Sequence, residues 1–202
     1  PLLALLVDST ERYLRAGGYT LLLANSHHSR SREKEIISMF EERGLDGAVV
    51  STSFVYPGKT SNPFADTRLP LVMIDRKMKF NGDSVWSEHR QGALEATRHL
   101  ISLGHKRIAV FTADSQLRPA TERMAGYTAA FAEAGLQVDE SHISSMGLPS
   151  ESGFDEMKRI LSTRRPPTAL ICMGTRLLSG ALRAIGERGL VVPRDFSVVA
   201  IR

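Results

Sequence analysis

The sequence predicts an α/β chain of short, doubly buried parallel strands joined by amphipathic helices and divided into two lobes. Three observations carry that reading. Apolar runs rich in β-branched residues, such as Ile108–Thr112 and Thr168–Met173, are too short for helices and read as strands buried on both faces. Between such runs, apolar residues recur at helical spacing and stop at glycines, as Met124, Tyr127, Phe131 and Ala134 do before Gly135. Strands joined by helices of this length form parallel sheets with right-handed crossovers, and two such series meet near Leu103–Gly104, giving lobes 1–103 and 104–202.

The elements follow in order. Leu3, Leu6, Val7, Tyr13 and Leu14 mark the inward face of a first helix that Gly17-Gly18 ends. Tyr19–Ala24 reads as a strand, the polar NSHHSRS as a loop, and Arg32–Arg43 as a helix carrying Ile36, Ile37, Met39 and Phe40, closed by Gly44. Asp46–Ser51 is a strand. The poorly periodic STSFVYPGKTSNPFADTR connects it to a strand at Leu71–Asp75, and connections of this length often face a ligand or partner. Asn81-Gly82 marks a turn, Ser84–Trp86 an extended piece, and His89–Leu103 a helix with Leu94, Thr97, Leu100 and Ile101 facing inward. After the strand at Ile108–Thr112 comes a polar loop, 113–121, and a helix from Glu122 to Gly135. His142–Met146 is a weak strand, Glu151–Leu161 a helix, and STRRPP a linker. Thr168–Met173, Leu177–Arg188 and Phe196–Ile201 complete the series as strand, helix and strand.

Composition excludes several functions. The 202 residues, 42% of them hydrophobic, suffice for a core in one large domain or two lobes. No apolar run approaches the length of a membrane span, and the start lacks the charged, apolar and small-residue succession of a signal peptide, so a cytosolic chain without membrane contact is expected. Cys172 stands alone, which rules out an intrachain disulfide and fits a reducing compartment. The net charge of +4 arises from 26 basic and 22 acidic residues with no basic block longer than a pair such as Arg164-Arg165; a solvated surface explains it better than a nucleic-acid face.

The chemical motifs are few. Gly58-Lys59-Thr60 resembles the tail of a phosphate-binding P-loop, but Ser53 stands where the motif needs its first glycine and Asn62-Pro63 follows where it needs a helix. No G-x-G-x-x-G opens a helix, and His27-His28 lack the neighbouring ligands of a metal site, so no cofactor is expected. His89, His99, His105 and His142 are scattered, no catalytic constellation emerges, and the chain is not read as an enzyme. Trp86 reads as packing at the lobe boundary. Arg118 and Arg123 are better candidates, because loops at the carboxyl ends of parallel strands hold ligands and a guanidinium there can grip a carboxylate, a phosphate or paired hydroxyls.

LGHKRIAVF, ERMAGYTAAFAEAGL and GALRAIGERGLVVPRDFSVVAI, in that order, resemble the effector-binding core of the lactose/galactose repressor (LacI/GalR) family of bacterial transcription regulators. PLLALLVDSTERYLRAGGYTLLLANS, REKEIISMFEERGLDGAVVS and LPLVMIDR are similar to earlier parts of the same core. The resemblance implies two Rossmann-like, periplasmic-binding-protein-like lobes with a small sugar-like effector between them, and a homodimer that binds operator DNA through an N-terminal helix-turn-helix head. The head and the first core strand are not in this chain, and it stops before the family's last strands, so a fold incomplete at both ends is expected. The first helix and the Ser179–Arg188 helix are implied dimer surfaces.

Residue by residue, the resemblance makes Arg123 the effector-contacting arginine of the R-x-x-G-[FYW] motif. It places Asp75 and Arg76 at the end of a first-lobe strand near the cleft, and Ser51 and Ser53 on a loop that faces it. Gly174-Thr175 stand where many members carry Asn-Asp, and Ile201-Arg202 where the last strand usually runs into Asp. Those acidic positions normally hold sugar hydroxyls. With Arg76, Arg118, Arg123 and Arg176 present, an anionic effector such as a phosphorylated sugar becomes the second expectation. A periplasmic sugar-binding protein of a transporter, which shares the fold, is the alternative function.

Overall fold

The computed structural model describes residues 2–56, 58, 61–112, 117–145 and 150–201. Lys59 and Thr60 of the P-loop-like segment, residues 113–116 of the loop expected after Thr112, Met146 of the weak strand, and Arg202 lie outside the described residues. The elements are α1 (Leu2–Ala16), α2 (Arg30–Glu42), β1 (Ala48–Val50), β2 (Leu71–Ile74), β3 (Gly82–Val85), α3 (His89–Ser102), β4 (Ile108–Thr112), α4 (Arg118–Glu133), β5 (Ile143–Ser145), α5 (Ser150–Leu161), β6 (Ala169–Cys172), α6 (Thr175–Glu187) and β7 (Ser197–Ala200). The chain divides into two compact units, Pro1–Val72 with Met78–Asp83, and Met73–Lys77 with Ser84–Arg202. Helix α3, which precedes the Leu103–Gly104 boundary expected from sequence, groups with the second unit.

The second unit is built on a four-stranded sheet in the order β5-β4-β6-β7, every neighbouring pair parallel. Its central strands are buried at every position, and apolar at all but Thr112, because both faces are covered. Ala109 and Phe111 of β4, with Leu170 and Cys172 of β6, pack against Met157, Ile160, Leu177, Ala181 and Ile185 of α5 and α6. The alternate residues Ile108, Val110, Ala169 and Ile171 turn to the other face and meet Ala93 and Leu100 of α3 and Tyr127 and Phe131 of α4. The period-2 alternation of a strand thus separates one apolar run into two cores. Two glycines let the helices approach. A Cβ at Gly126 of α4 would lie 2.2 Å from the Arg90 carbonyl oxygen of α3, and one at Gly153 of α5 would lie 2.3 Å from the Leu177 carbonyl oxygen of α6.

This strand order creates a switch point. The crossover from β4 through α4 reaches β5 on one side, while the route through α5 returns past β4 to β6 on the other. Helices following β4 and β6 pack on opposite faces of the sheet, and the carboxyl ends of strands at such a switch point are where open α/β folds bind ligands.

In the first unit, Ile37 and Phe40 of α2 are buried, as are Tyr56, Phe64 and Leu69 of the long connection. Glu33, in the first turn of α2, is buried too. Its carboxylate accepts hydrogen bonds from the Thr52 hydroxyl at 2.7 and 2.9 Å and from the Tyr56 hydroxyl at 2.7 Å. Arg30 lies over the Phe54 and Tyr56 rings, 4.9 Å from each centroid, and donates to the Val55 carbonyl oxygen. The connection that looks irregular in sequence is therefore anchored to α2 through its hydroxyl and aromatic groups.

Four expectations change. Tyr19–Ala24 is not a strand: it joins neither sheet among the described residues, and a strand without a ladder partner leaves its backbone polar groups to water. On α1, Leu6, Val7 and Leu14 are half-buried, but Leu3 and Tyr13 are exposed, Tyr13 at 85%. The inward face of α3 runs through Ala93, Thr97 and Leu100, one residue short of Leu94, because Gly126 brings α4 close to that side. Helix α4 begins at Arg118 rather than Glu122, since Pro119 occupies its first turn, where the missing N–H costs nothing.

Candidate ligand-binding site

Helix α4 turns a stripe of Ala120, Arg123, Gly126, Tyr127, Ala130 and Phe131 toward the sheet. Five of these are the small, apolar or aromatic residues that such a stripe demands; the sixth is an arginine. Arg123 is only 9% exposed. Its Nη1 donates to the Met173 carbonyl oxygen at 3.3 Å, at the carboxyl end of β6. Its Nε is buried without a hydrogen-bond partner among the described residues. Burial pulls the guanidinium below its ordinary value and Asp75 opposes that, yet an arginine stays charged in a protein.

Asp75 gathers the rest. It follows β2 with φ of 51°, in the left-handed region that Asp tolerates better than most residues. Its Oδ1 accepts from the Ser87 backbone N–H at 2.8 Å and its Oδ2 from the Ser87 hydroxyl at 2.9 Å. His89 Nε2 approaches Oδ2 at 3.1 Å, an ion-pair approach without hydrogen-bond alignment, and Arg118 Nη1 approaches Oδ1 at 3.6 Å. Burial alone would raise the Asp75 carboxyl, but the two Ser87 donors and His89 outweigh it and hold it below its usual range. His89 is driven below its ordinary value by burial; Asp75 opposes this, while Arg123 and Arg118 add to it. The Arg118 guanidinium also stacks 4.3 Å from the Trp86 ring centroid.

The sequence-derived candidates divide accordingly. Asp75 and Arg118 are brought together, and Arg123 acts electrostatically on both Asp75 and His89. Arg76 is half-buried and donates to the Asp75 carbonyl oxygen at 2.9 Å. Gly174 and Thr175 begin α6, directly after the Met173 carbonyl that Arg123 reaches; Gly174 is half-buried and Thr175 exposed. Ser51 and Ser53 are exposed residues of the first unit, on either side of the buried Thr52.

Residues 97–202 match the periplasmic binding protein-like domain family. The transcription regulator CcpA of Lactococcus lactis is similar in structure, with a TM-score of 0.87 and 26% identity over 98% of this chain and 72% of that one. A sugar-binding transcriptional regulator of the LacI family from Escherichia coli, solved in complex with phosphate, gives a TM-score of 0.80 and 28% identity over 96% of this chain and 70% of that one. The chain belongs to the LacI/GalR family. Among curated relatives, the HTH-type transcriptional repressor PurR of Erwinia tasmaniensis is 33% identical over 98% of this chain, which spans 59% of that protein's length.

Sequence reasoning about this LacI/GalR core missed Ser87 and His89. Both flank the start of α3, where Glu88 is the N-cap, and only the fold of 75–87 brings them to Asp75. A histidine opening a helix carried no signal that distinguished it from the other five. Trp86, read as packing, is a partner of Arg118. Among the described residues no group of three or more His, Cys, Asp and Glu could hold a metal ion, and no helix is long and apolar enough to cross a membrane.

Proposed function

We propose that this chain is the effector-binding core of a bacterial, cytoplasmic LacI/GalR-type transcriptional regulator, in which a small sugar-like molecule controls operator binding. The observation that carries the reading is Arg123, a charged residue on the buried stripe of α4 that reaches the carboxyl end of β6 at the switch point of the sheet. A buried guanidinium with no carboxylate in ion-pair reach among the described residues is costly, and a ligand supplying acceptors offsets that cost. Asp75, Arg118, Gly174 and Thr175 of the second unit are assigned to the same site, with Arg76 as a further contact.

In this mechanism the effector binds one conformation of the core more tightly than another and shifts the population toward it. A homodimer then passes the shift to helix-turn-helix heads on operator DNA. The relatives are named as repressors and regulators, which favours this reading over a transporter's periplasmic binding protein. A calorimetric and thermal-shift screen of this chain against sugars, sugar phosphates, sugar acids and nucleobases tests it. At least one compound is expected to bind the wild type and to lose affinity in Arg123→Gln. If none binds, or if binding is indifferent to Arg123, the assignment fails.

A further inference from the structure

Among the described residues, two guanidinium groups and one carboxylate, Arg118, Arg123 and Asp75, act on one another at the carboxyl edge of the second unit's sheet. Arg123 is nine-tenths buried, with one nitrogen unpartnered. Arg118 Nη1 is buried without a hydrogen-bond partner and reaches a carboxylate only at 3.6 Å. That carboxylate, Asp75, already receives two hydrogen bonds from Ser87 and the approach of His89. One occupied carboxylate thus faces two guanidinium groups.

The helix termini add to the imbalance. Helices α4 and α6 follow the adjacent strands β4 and β6, so their amino ends lie at this same edge. Neither has a side-chain cap and neither has an acidic residue in its first turn. The N-cap of α6 is Gly174, next to the Met173 carbonyl that holds Arg123, and Thr175 offers a hydroxyl at its first position. Free N–H groups at the start of a helix favour an anion, and Arg123 places its guanidinium on the carbonyl of the residue just before that N-cap.

We infer that the effector carries an anionic group, a phosphate or a carboxylate, bound by Arg123 and the amino end of α6, and that Thr175 sets this preference for charge. The inference rests on the effector-site reading and specifies its ligand. A carboxylate at position 175 would supply Arg123 with a counter-charge from the protein itself, and the site would then favour a neutral ligand.

Inorganic phosphate is the deciding probe, titrated at constant ionic strength against the chain and its Arg123→Gln, Arg123→Lys and Thr175→Asp variants by calorimetry and thermal shift. Glucose with glucose 6-phosphate and gluconate, and ribose with ribose 5-phosphate, separate a phosphate preference from a carboxylate one. Phosphate is expected to bind and stabilise the wild type, with affinity reduced about 10- to 100-fold in Arg123→Gln and Thr175→Asp and partly kept in Arg123→Lys. Phosphate without effect, or equally effective on wild type and Arg123→Gln, overturns the proposal. If a neutral sugar binds through Arg123 while phosphate does not, the anion is wrong and the effector site stands. If nothing binds, both fall. Circular dichroism of each variant confirms that a lost response reflects the site rather than unfolding.

Discussion

Arg123 Nη1 donates to the Met173 carbonyl oxygen, tying the buried face of α4 to the carboxyl end of β6 across the switch point of the sheet. One neutral acceptor at 3.3 Å does not compensate a buried positive charge. The residue is therefore expected to cost stability by itself, a cost that the proposed ligand would offset.

That trade-off is measurable. Arg123→Met preserves length and apolar packing while removing the charge, and is expected to stabilise the ligand-free chain by about 1 kcal/mol, a rise of roughly 2–4 °C in Tm. The same variant loses ligand binding. A Tm well below wild type would show that the guanidinium is a structural element of the core instead.

Helix contact makes a second, opposed pair of outcomes. A methyl group at Gly126 collides with the α3 backbone at Arg90 and Leu94, so Gly126→Ala should cost about 1–3 kcal/mol in urea unfolding. Gly92, on exposed α3 surface with nothing within 4 Å of an added Cβ, should gain about 0.5–1 kcal/mol on replacement by Ala. Equal effects at the two sites would contradict the close approach.

In the first unit, Glu33→Ala removes the acceptor shared by the Thr52 and Tyr56 hydroxyls. The expected loss is about 1–3 kcal/mol, with Tyr56→Phe milder because it removes a donor and leaves no new buried hydroxyl. Chemical unfolding of the single and double variants forms a cycle; strict additivity would mean that the two groups do not interact.

Acid should destabilise the chain. His89 has a folded value below its ordinary 6.5, so the unfolded state binds the proton first. Its contribution is fully present above 6.5 and is lost as the pH falls through the lower folded value. Asp75, also lowered, adds a further loss below its ordinary 3.8 as the pH falls through its folded value. His105, lowered by burial, acts in the same direction as His89. Tm measured from pH 7.5 to 5 should decline, and His89→Gln should flatten the decline. An unchanged slope would place the titration elsewhere.

Much of the fold was legible because its signals are local. The short apolar runs of β4 and β6, the glycine stops of α2 and α4, and the helical spacing in α5 and α6 state their structures within a few residues. Tyr19–Ala24 shows where local signals end, since an apolar run becomes a strand only beside a partner. The site was legible in part. Arg118 and Arg123 stood out as charges near a strand end and Asp75 through the family resemblance, whereas Ser87 and His89 meet Asp75 through a turn of the chain that no spacing encodes.

By itself, the sequence determined the elements and their parallel α/β order, since apolar period and glycine placement act over one or two turns. Only the tertiary structure decided that Arg123 lies buried, bonded to Met173, with its Nε lacking a hydrogen-bond partner among the described residues. The physical reason is that burial and charge compensation depend on which neighbours the sheet order brings together. The sequence marked the arginine; the fold set it on a neutral carbonyl, with Asp75 acting on it only at a distance.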